Sequence, residues 1–175
     1  MGSGRAMLTV FALGVFGVLT VTGVFAADEP KVDAKTALAK LKGLAGEWVN
    51  EAAPGDPSQK IVYRVISNGT VVMETLFPNT THEMVSMYMI DGDELRMTHY
   101  CASGNQPKLK VDFKISSADK LEFAFEGGTN LDASKDMHMH SGRIVFKDKN
   151  HMETEWDGYL GGKKTGSQRF SMQRN

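Results

Sequence analysis

The stretch His82-Glu83-Met84-Val85-Ser86-Met87-Tyr88-Met89-Ile90, Asp91-Gly92-Asp93, Glu94-Leu95-Arg96-Met97-Thr98-His99-Tyr100-Cys101-Ala102, Ser103-Gly104-Asn105-Gln106-Pro107 decides the fold. Two apolar runs of strand length meet at an Asp-Gly turn, a strong short-range signal for a β-hairpin. Leu95, Met97, His99 and Cys101 recur at a period of two, so they share one face of a strand. The closing Gly104-to-Pro107 segment is a polar loop. Asn105 and Gln106 in it are candidates for hydrogen-bonding a ligand head group. As ordinary loop residues they serve equally well to brace the turn.

The same period runs outward in both directions. Upstream lie strand-like runs at 46–50, 59–67 and 70–77, separated by the loop 53–57 and by Asn68-Gly69; Pro78-Asn79 then turns the chain into 82–90. Downstream, Leu109, Val111, Phe113 and Ile115 alternate with Lys108, Lys110, Asp112 and Lys114, which predicts a strand over 108–115. Runs at 121–125, 138–146, 152–157 and 170–174 follow, each bounded by turn residues. About ten antiparallel strands in sequence form a meander, and a long meander removes its exposed edges by closing into an up-and-down barrel. The expected interior includes Trp48, Tyr63, Leu95, Met97, Leu109, Val111, Phe113, Phe123, Phe125, Ile144, Phe146, Trp156, Phe170 and Met172. Acidic Glu153, Glu155 and Asp157 and the lysines of 108–114 make a solvated outer face. Strands 70–77 and 82–90 are apolar on both faces, where a wall with one wet face should alternate. One outer face there is therefore expected to be covered, by the N-terminal helix or by a second copy in a homodimer. The helix itself is read over 33–44, capped by Asp33 and ended by Gly43.

The chain has 175 residues, 41% of them hydrophobic, and a formal net charge of -1. One domain of this size buries a single sizeable core. A near-neutral surface argues against a nucleic-acid partner, which needs basic patches to neutralise phosphates. At the N-terminus, Arg5 precedes the uncharged run Met7 to Val24, and Val24-Phe25-Ala26 offers small residues where a signal peptidase reads. The expected organisation is a signal peptide over 1–26, a linker and short helix over 27–44, and one barrel domain over 45–175. Secreted or periplasmic location follows, with no membrane span left after cleavage; the rival reading is an uncleaved anchor. Cys101 is the single cysteine, so no intramolecular disulfide forms. Its neighbours suit a small buried hydrophobe. The eleven methionines suit either an adaptable apolar cavity or a core in which Met replaces Leu.

Gly46-x-Trp48 after a short helical segment, with Arg174 near the C-terminus, resembles the signature of lipocalins and related calycin barrels. In those folds the Trp packs beneath an Arg from the last strand. The middle of the chain, through Glu74-Thr75-Leu76-Phe77-Pro78, His82-Glu83-Met84, Thr98-His99-Tyr100-Cys101, Gly104-Asn105-Gln106-Pro107 and His138-Met139-His140, is similar to uncharacterised secreted bacterial proteins with a lipocalin-like or nitrobindin-like barrel. That resemblance implies the barrel fold and no established activity. Related barrels carry lipids, other small apolar molecules or haem. No haem-ligand motif matches residue by residue, so haem binding is not carried over.

The residues that carry chemistry are His99, Cys101, His138 and His140. His99 and Cys101 share the inward register of Leu95 and Met97. His138 and His140 share, by parity, the register of Ile144 and Phe146. With Tyr63 and Trp156 inside and Asn105 and Gln106 at the mouth, these outline a ligand-binding site with a His/Cys polar spot. Neutral imidazoles are good ligands for Zn, Cu or Fe, so His99, His138 and His140 form a candidate metal set. Their strands are three apart, about 14 Å along the wall at ~4.8 Å per strand, which makes joint ligation demanding. Nucleophilic catalysis by Cys101 with His99 has less support, because i, i+2 neighbours on a strand have Cβ atoms roughly 6–7 Å apart. The function read from sequence is an exported barrel that binds a small apolar molecule. Its alternatives are a metal- or haem-binding protein and an interaction module dimerising through strands 70–90.

Overall fold

Ten strands pair in chain order, and the first closes onto the last. The computed structural model describes residues 1–2 and 32–175; the export signal read over Met7 to Val24 lies outside the described residues. The elements are α1 (Ala34–Lys42), β1 (Gly46–Asn50), β2 (Lys60–Ile66), β3 (Val71–Leu76), β4 (Met84–Asp91), β5 (Glu94–Tyr100), β6 (Gln106–Val111), β7 (Lys120–Thr129), β8 (His138–Phe146), β9 (His151–Leu160) and β10 (Lys163–Arg174). Every pairing is antiparallel. Among the described residues no helix is long and apolar enough to cross a membrane.

An up-and-down order sends alternate turns to opposite ends of the barrel. The turns at 67–70, 91–93, 112–119 and 147–150 lie at one end, together with α1. The loops at 51–59, 77–83, 101–105, 130–137 and 161–162 lie at the other. The helix starts where Asp33 accepts a hydrogen bond from the Thr36 amide at 2.7 Å, which satisfies one of the free N–H groups of its first turn. Ala37, Leu38 and Leu41 point into the barrel core with Trp48, Ile61 and Leu95. Helix α1 is thus a plug closing one end. It is not the cover expected over the outside of β3 and β4, whose outward Val71, Met73, Val85, Met87 and Met89 are half-buried among one another.

The plug is fastened by the signature residues. Trp48 Nε1 donates to Leu44 O at 2.7 Å, and the Arg174 guanidinium lies 4.4 Å over the Trp48 ring. Arg174 also donates to the Ala45, Gly43 and Lys149 carbonyls at 2.7, 2.8 and 3.0 Å. The Gly43 and Ala45 carbonyls follow the helix C-terminus, where cations are favoured and free acceptors need donors, and Lys149 lies in the turn between β8 and β9. Gly46 is required beside them: its φ is 129°, and a Cβ would lie 3.1 Å from Arg174 Nη1.

The inward register agrees with the alternation along most strands. Trp48, Tyr63, Leu95, Met97, Leu109, Val111, Phe123, Ile144, Trp156 and Met172 are buried, and Phe113, Phe146 and Phe170 pack against them. The outer face carries ion pairs such as Lys110–Glu94, Arg143–Glu155 and Lys164–Asp157. One strand is shorter than its pattern. β6 stops at Val111, because Asp112 O accepts from the Ile115 and Ser116 amides and curls the chain into a turn. Ile115 is 59% exposed. Alternation continued past the point where a pairing partner existed.

Candidate functional site

Beneath the open end the barrel interior turns polar. β3, unsorted by its sequence, faces Val72, Glu74 and Leu76 inward. The Glu74 side chain is 1% exposed and accepts from Tyr63 Oη at 2.6 Å and Tyr88 Oη at 2.8 Å, one phenol on each carboxylate oxygen. The three residues come from adjacent strands in register, Tyr63 opposite Glu74 and Glu74 opposite Ser86. Burial raises the Glu74 pKa, while hydrogen bonds from Tyr63, Tyr88 and Ser86 oppose the rise. The same burial, together with the carboxylate, pushes both phenols well above their ordinary value. A carboxylate alone in this core would be strongly penalised; paired with these donors it is held in place.

Ser86 joins this cluster to His99. Its Oγ lies 3.0 Å from His99 Nδ1. In the tautomer that carries its proton on Nδ1, that nitrogen donates to Ser86 Oγ and leaves the Ser86 hydroxyl proton for Glu74. The Nε2 lone pair of His99 is then free, and Nε2 makes no hydrogen bond among the described residues. Burial alone lowers the His99 pKa to about 4, so the imidazole is neutral at physiological pH. Tyr63–Glu74–Ser86–His99 therefore forms a fixed polar relay that ends on an unpaired nitrogen.

That nitrogen belongs to a side chain lining a cavity of about 220 Å³ at the open end, walled by Met84, His99, Cys101, Met137, His138, Met139, Trp156, Asp157 and Gly158, with Ser103 and Gln168 at its rim. Cys101 follows β5 and is half-buried; its Sγ lies 3.4 Å from Ser103 Oγ and accepts from the Ser103 amide at 3.5 Å. Trp156 reaches the wall because Gly142 opposes it: a Cβ on Gly142 would come within 2.2 Å of the Trp156 ring. The indole packs on Phe123 at 5.5 Å between ring centroids.

His138 lines this cavity with His99 and Cys101, whereas His140 is not among its lining residues. Met139 pairs with Gly158 but Ser141 pairs with Asp157, so β8 gains one residue at His140. A β-bulge of this kind inverts the facing of everything before it. Trp156 and Gly158 face inward on unbroken β9, so Met139, opposite Gly158, faces inward, while His138, opposite Tyr159, is only 2% exposed and packs on Phe125 at 5.0 Å. The parity count from Ile144 and Phe146 fails at that single residue. The two histidines make an aromatic cluster where β7, paired to β8 only over 120–123, leaves the wall. His138 Nε2 is 3.0 Å from His140 Nδ1, and His140 stacks on Tyr159 at 3.9 Å and Phe125 at 4.5 Å. Burial, then His138, lowers the His140 pKa. Of the candidate metal set, His99 and His138 line this cavity and His140 does not. Among the described residues no three of His, Cys, Asp and Glu approach closely enough to hold a metal.

The remaining candidates fall in three places. Trp156 and Cys101 line the cavity. Tyr63 lies below it in the Glu74 cluster. Asn105 Nδ2 donates to Met137 O at 2.8 Å, tying the 101–105 loop to the start of β8, and Gln106 braces its own loop through Gly104 O at 3.0 Å. Glu74, Ser86 and Tyr88 were missed as site residues. Their signal was the failure of β3 and β4 to alternate, which placed polar groups on a face that could not be assigned.

Fold and site together define a closed ten-stranded antiparallel β-barrel, plugged by a helix at one end and holding a polar relay beneath a small cavity at the other. The chain matches no protein-family model and no curated protein.

Proposed function

We propose that this protein is an exported barrel that binds a compact, mostly apolar small molecule in the cavity at its open end. The observation that carries the reading is the buried His99, anchored through Ser86 to Glu74, with its free Nε2 lone pair on a side chain of an otherwise Met- and Trp-lined wall. Such a wall of flexible thioethers around one placed polar group is the composition of a small-molecule site. The volume of about 220 Å³ is below the ~300–1,000 Å³ of drug-sized pockets, so the ligand is compact and offers a hydrogen-bond donor to His99. The resemblance to calycin barrels and the signal-like N-terminus support the same reading.

The test uses the full chain expressed in cells and recovered from the extracytoplasmic fraction. Native mass spectrometry of the wild type should show a small bound mass, or the Trp emission should respond to added naphthol-sized neutral molecules. Met139→Trp, which fills the cavity, should abolish both while keeping the β-sheet circular dichroism. A folded wild-type barrel that carries no adduct and gives no spectral response refutes the proposal. A second reading, dimerisation through strands 70–90, draws on the half-buried outward Val71, Met73, Val85, Met87 and Met89. A strict monomer by sedimentation velocity at high concentration eliminates it.

A further inference from the structure

Six of the side chains around the cavity carry sulfur or imidazole donor atoms: the thioethers of Met84, Met137 and Met139, the thiol of Cys101 and the imidazoles of His99 and His138. Both ring nitrogens of His138 are already engaged, by Asp136 O at 2.9 Å and His140 Nδ1 at 3.0 Å, which leaves five. They come from β4, the 101–105 loop, β5 and the start of β8, so the grouping is a product of barrel closure and is invisible along the chain. Two of the methionines owe their place to the bulge at His140. Register puts Met139 inward, and Met137 lies across Gly158, where its Cε would be 3.1 Å from a Cβ.

We propose that this cavity is a binding site for a soft monovalent metal ion, Cu(I), held by His99 Nε2 and the sulfur atoms of Met84, Met137, Met139 and Cys101. Thioether, thiolate and imidazole ligands select Cu(I), which accepts low coordination numbers. Hard divalent ions find no ligand here. The one carboxylate residue at the wall, Asp157, directs its oxygens to Ser141, Ser167 and Lys164 at 2.9, 2.6 and 2.7 Å on the outer face. His99 is 1% exposed, its Nδ1 is held by Ser86 at 3.0 Å, and its Nε2 is unpaired among the described residues. A preset second-shell partner of this kind orients a metal-binding imidazole. Three rotatable bonds let each Met side chain converge on an ion within so small a cavity. On binding, Cys101 loses its proton to solvent and no electron is transferred. The inference uses the same cavity as the small-molecule reading and does not depend on it.

The experiment adds Ag(I), as a redox-inert stand-in, and anaerobic Cu(I) to the full chain carrying ¹³C-methyl methionine, with competition against a Cu(I) chelator. One equivalent should bind, shifting the methyl signals of Met84, Met137 and Met139 and leaving those of outward Met87 and Met89 in place. Zn(II) should shift none of them. The Met84→Leu/Met137→Leu/Met139→Leu variant, close in volume to the wild type, should keep its urea midpoint and lose the chelator-resistant complex. Absence of a stoichiometric complex overturns the proposal. So does a triple variant that binds as the wild type does while Cys101→Ser does not, which would reduce the site to a lone thiol.

Discussion

His99 makes the fold sensitive to acid by a calculable amount. Its folded pKa of about 4 lies below the ordinary value of 6.5, so the unfolded chain takes up the proton first. The associated stability is complete above pH ~6.5 and is lost as the pH falls toward 4. The full difference of about 2.5 units corresponds to ~3 kcal/mol at about 1.36 kcal/mol per unit. Between pH 7 and pH 5 the linkage relation yields about 2 kcal/mol of lost stability. Urea unfolding of the wild type and of His99→Gln at these two pH values isolates the contribution, because every other titrating group is common to both. Gln retains a donor for Ser86 and cannot titrate. The wild type should lose about 2 kcal/mol more than the variant between the two conditions. Equal losses would show that His99 is solvated or charged in the folded state, and the relay ending on a free Nε2 would be wrong.

Three further outcomes follow from individual contacts. Glu74→Ala strands two buried phenols and opens a cavity, and should cost ~2–5 kcal/mol in urea unfolding. Glu74→Gln should cost much less. Because burial raises the folded Glu74 pKa above its ordinary 4.5, ionising Glu74 costs more in the fold than in the unfolded chain: the wild type should lose stability relative to Glu74→Gln as the pH rises from 4.5 through the folded pKa. Gly142→Ala forces a methyl into the Trp156 ring, costs ~1–3 kcal/mol or more, and should shift the Trp emission; an unchanged spectrum and midpoint would mean that Trp156 is not seated against β8. Arg174→Ala removes the cation over Trp48 and donors to three carbonyls, and should lower stability by ~2–3 kcal/mol; Arg174→Lys, with one compact charge, should recover only part.

Much of the fold was readable in the chain because strand periodicity and turn chemistry are local. Asp33 as a cap, the Asp91-Gly92 turn and the inward Leu95, Met97 and His99 each follow from neighbours a few residues away. Trp48 and Arg174 were legible as a pair only through the resemblance, and their ring-to-cation distance of 4.4 Å places them in contact at the plugged end. Ile115 illustrates the limit of alternation. A strand continues only while a neighbour pairs with it, and nothing in 112–116 states where β7 begins.

The candidate site was legible in part for the same reason. The sequence by itself determined an all-β meander, its closure, and the inward facing of His99. Only the tertiary structure decided that Glu74, apparently one polar residue in an apolar run, is the anchor of that histidine, since its partners Tyr63 and Ser86 lie on the two flanking strands. Tertiary pairing also decided the facing of His138 and His140. One extra residue opposite β9 shifts the parity of everything before it, brings Met139 in, and leaves Met137, 47% exposed, lying over Gly158 at the cavity mouth. A period of two carries facing along a strand without error until a bulge interrupts it, and a bulge exists only in relation to the strand across from it.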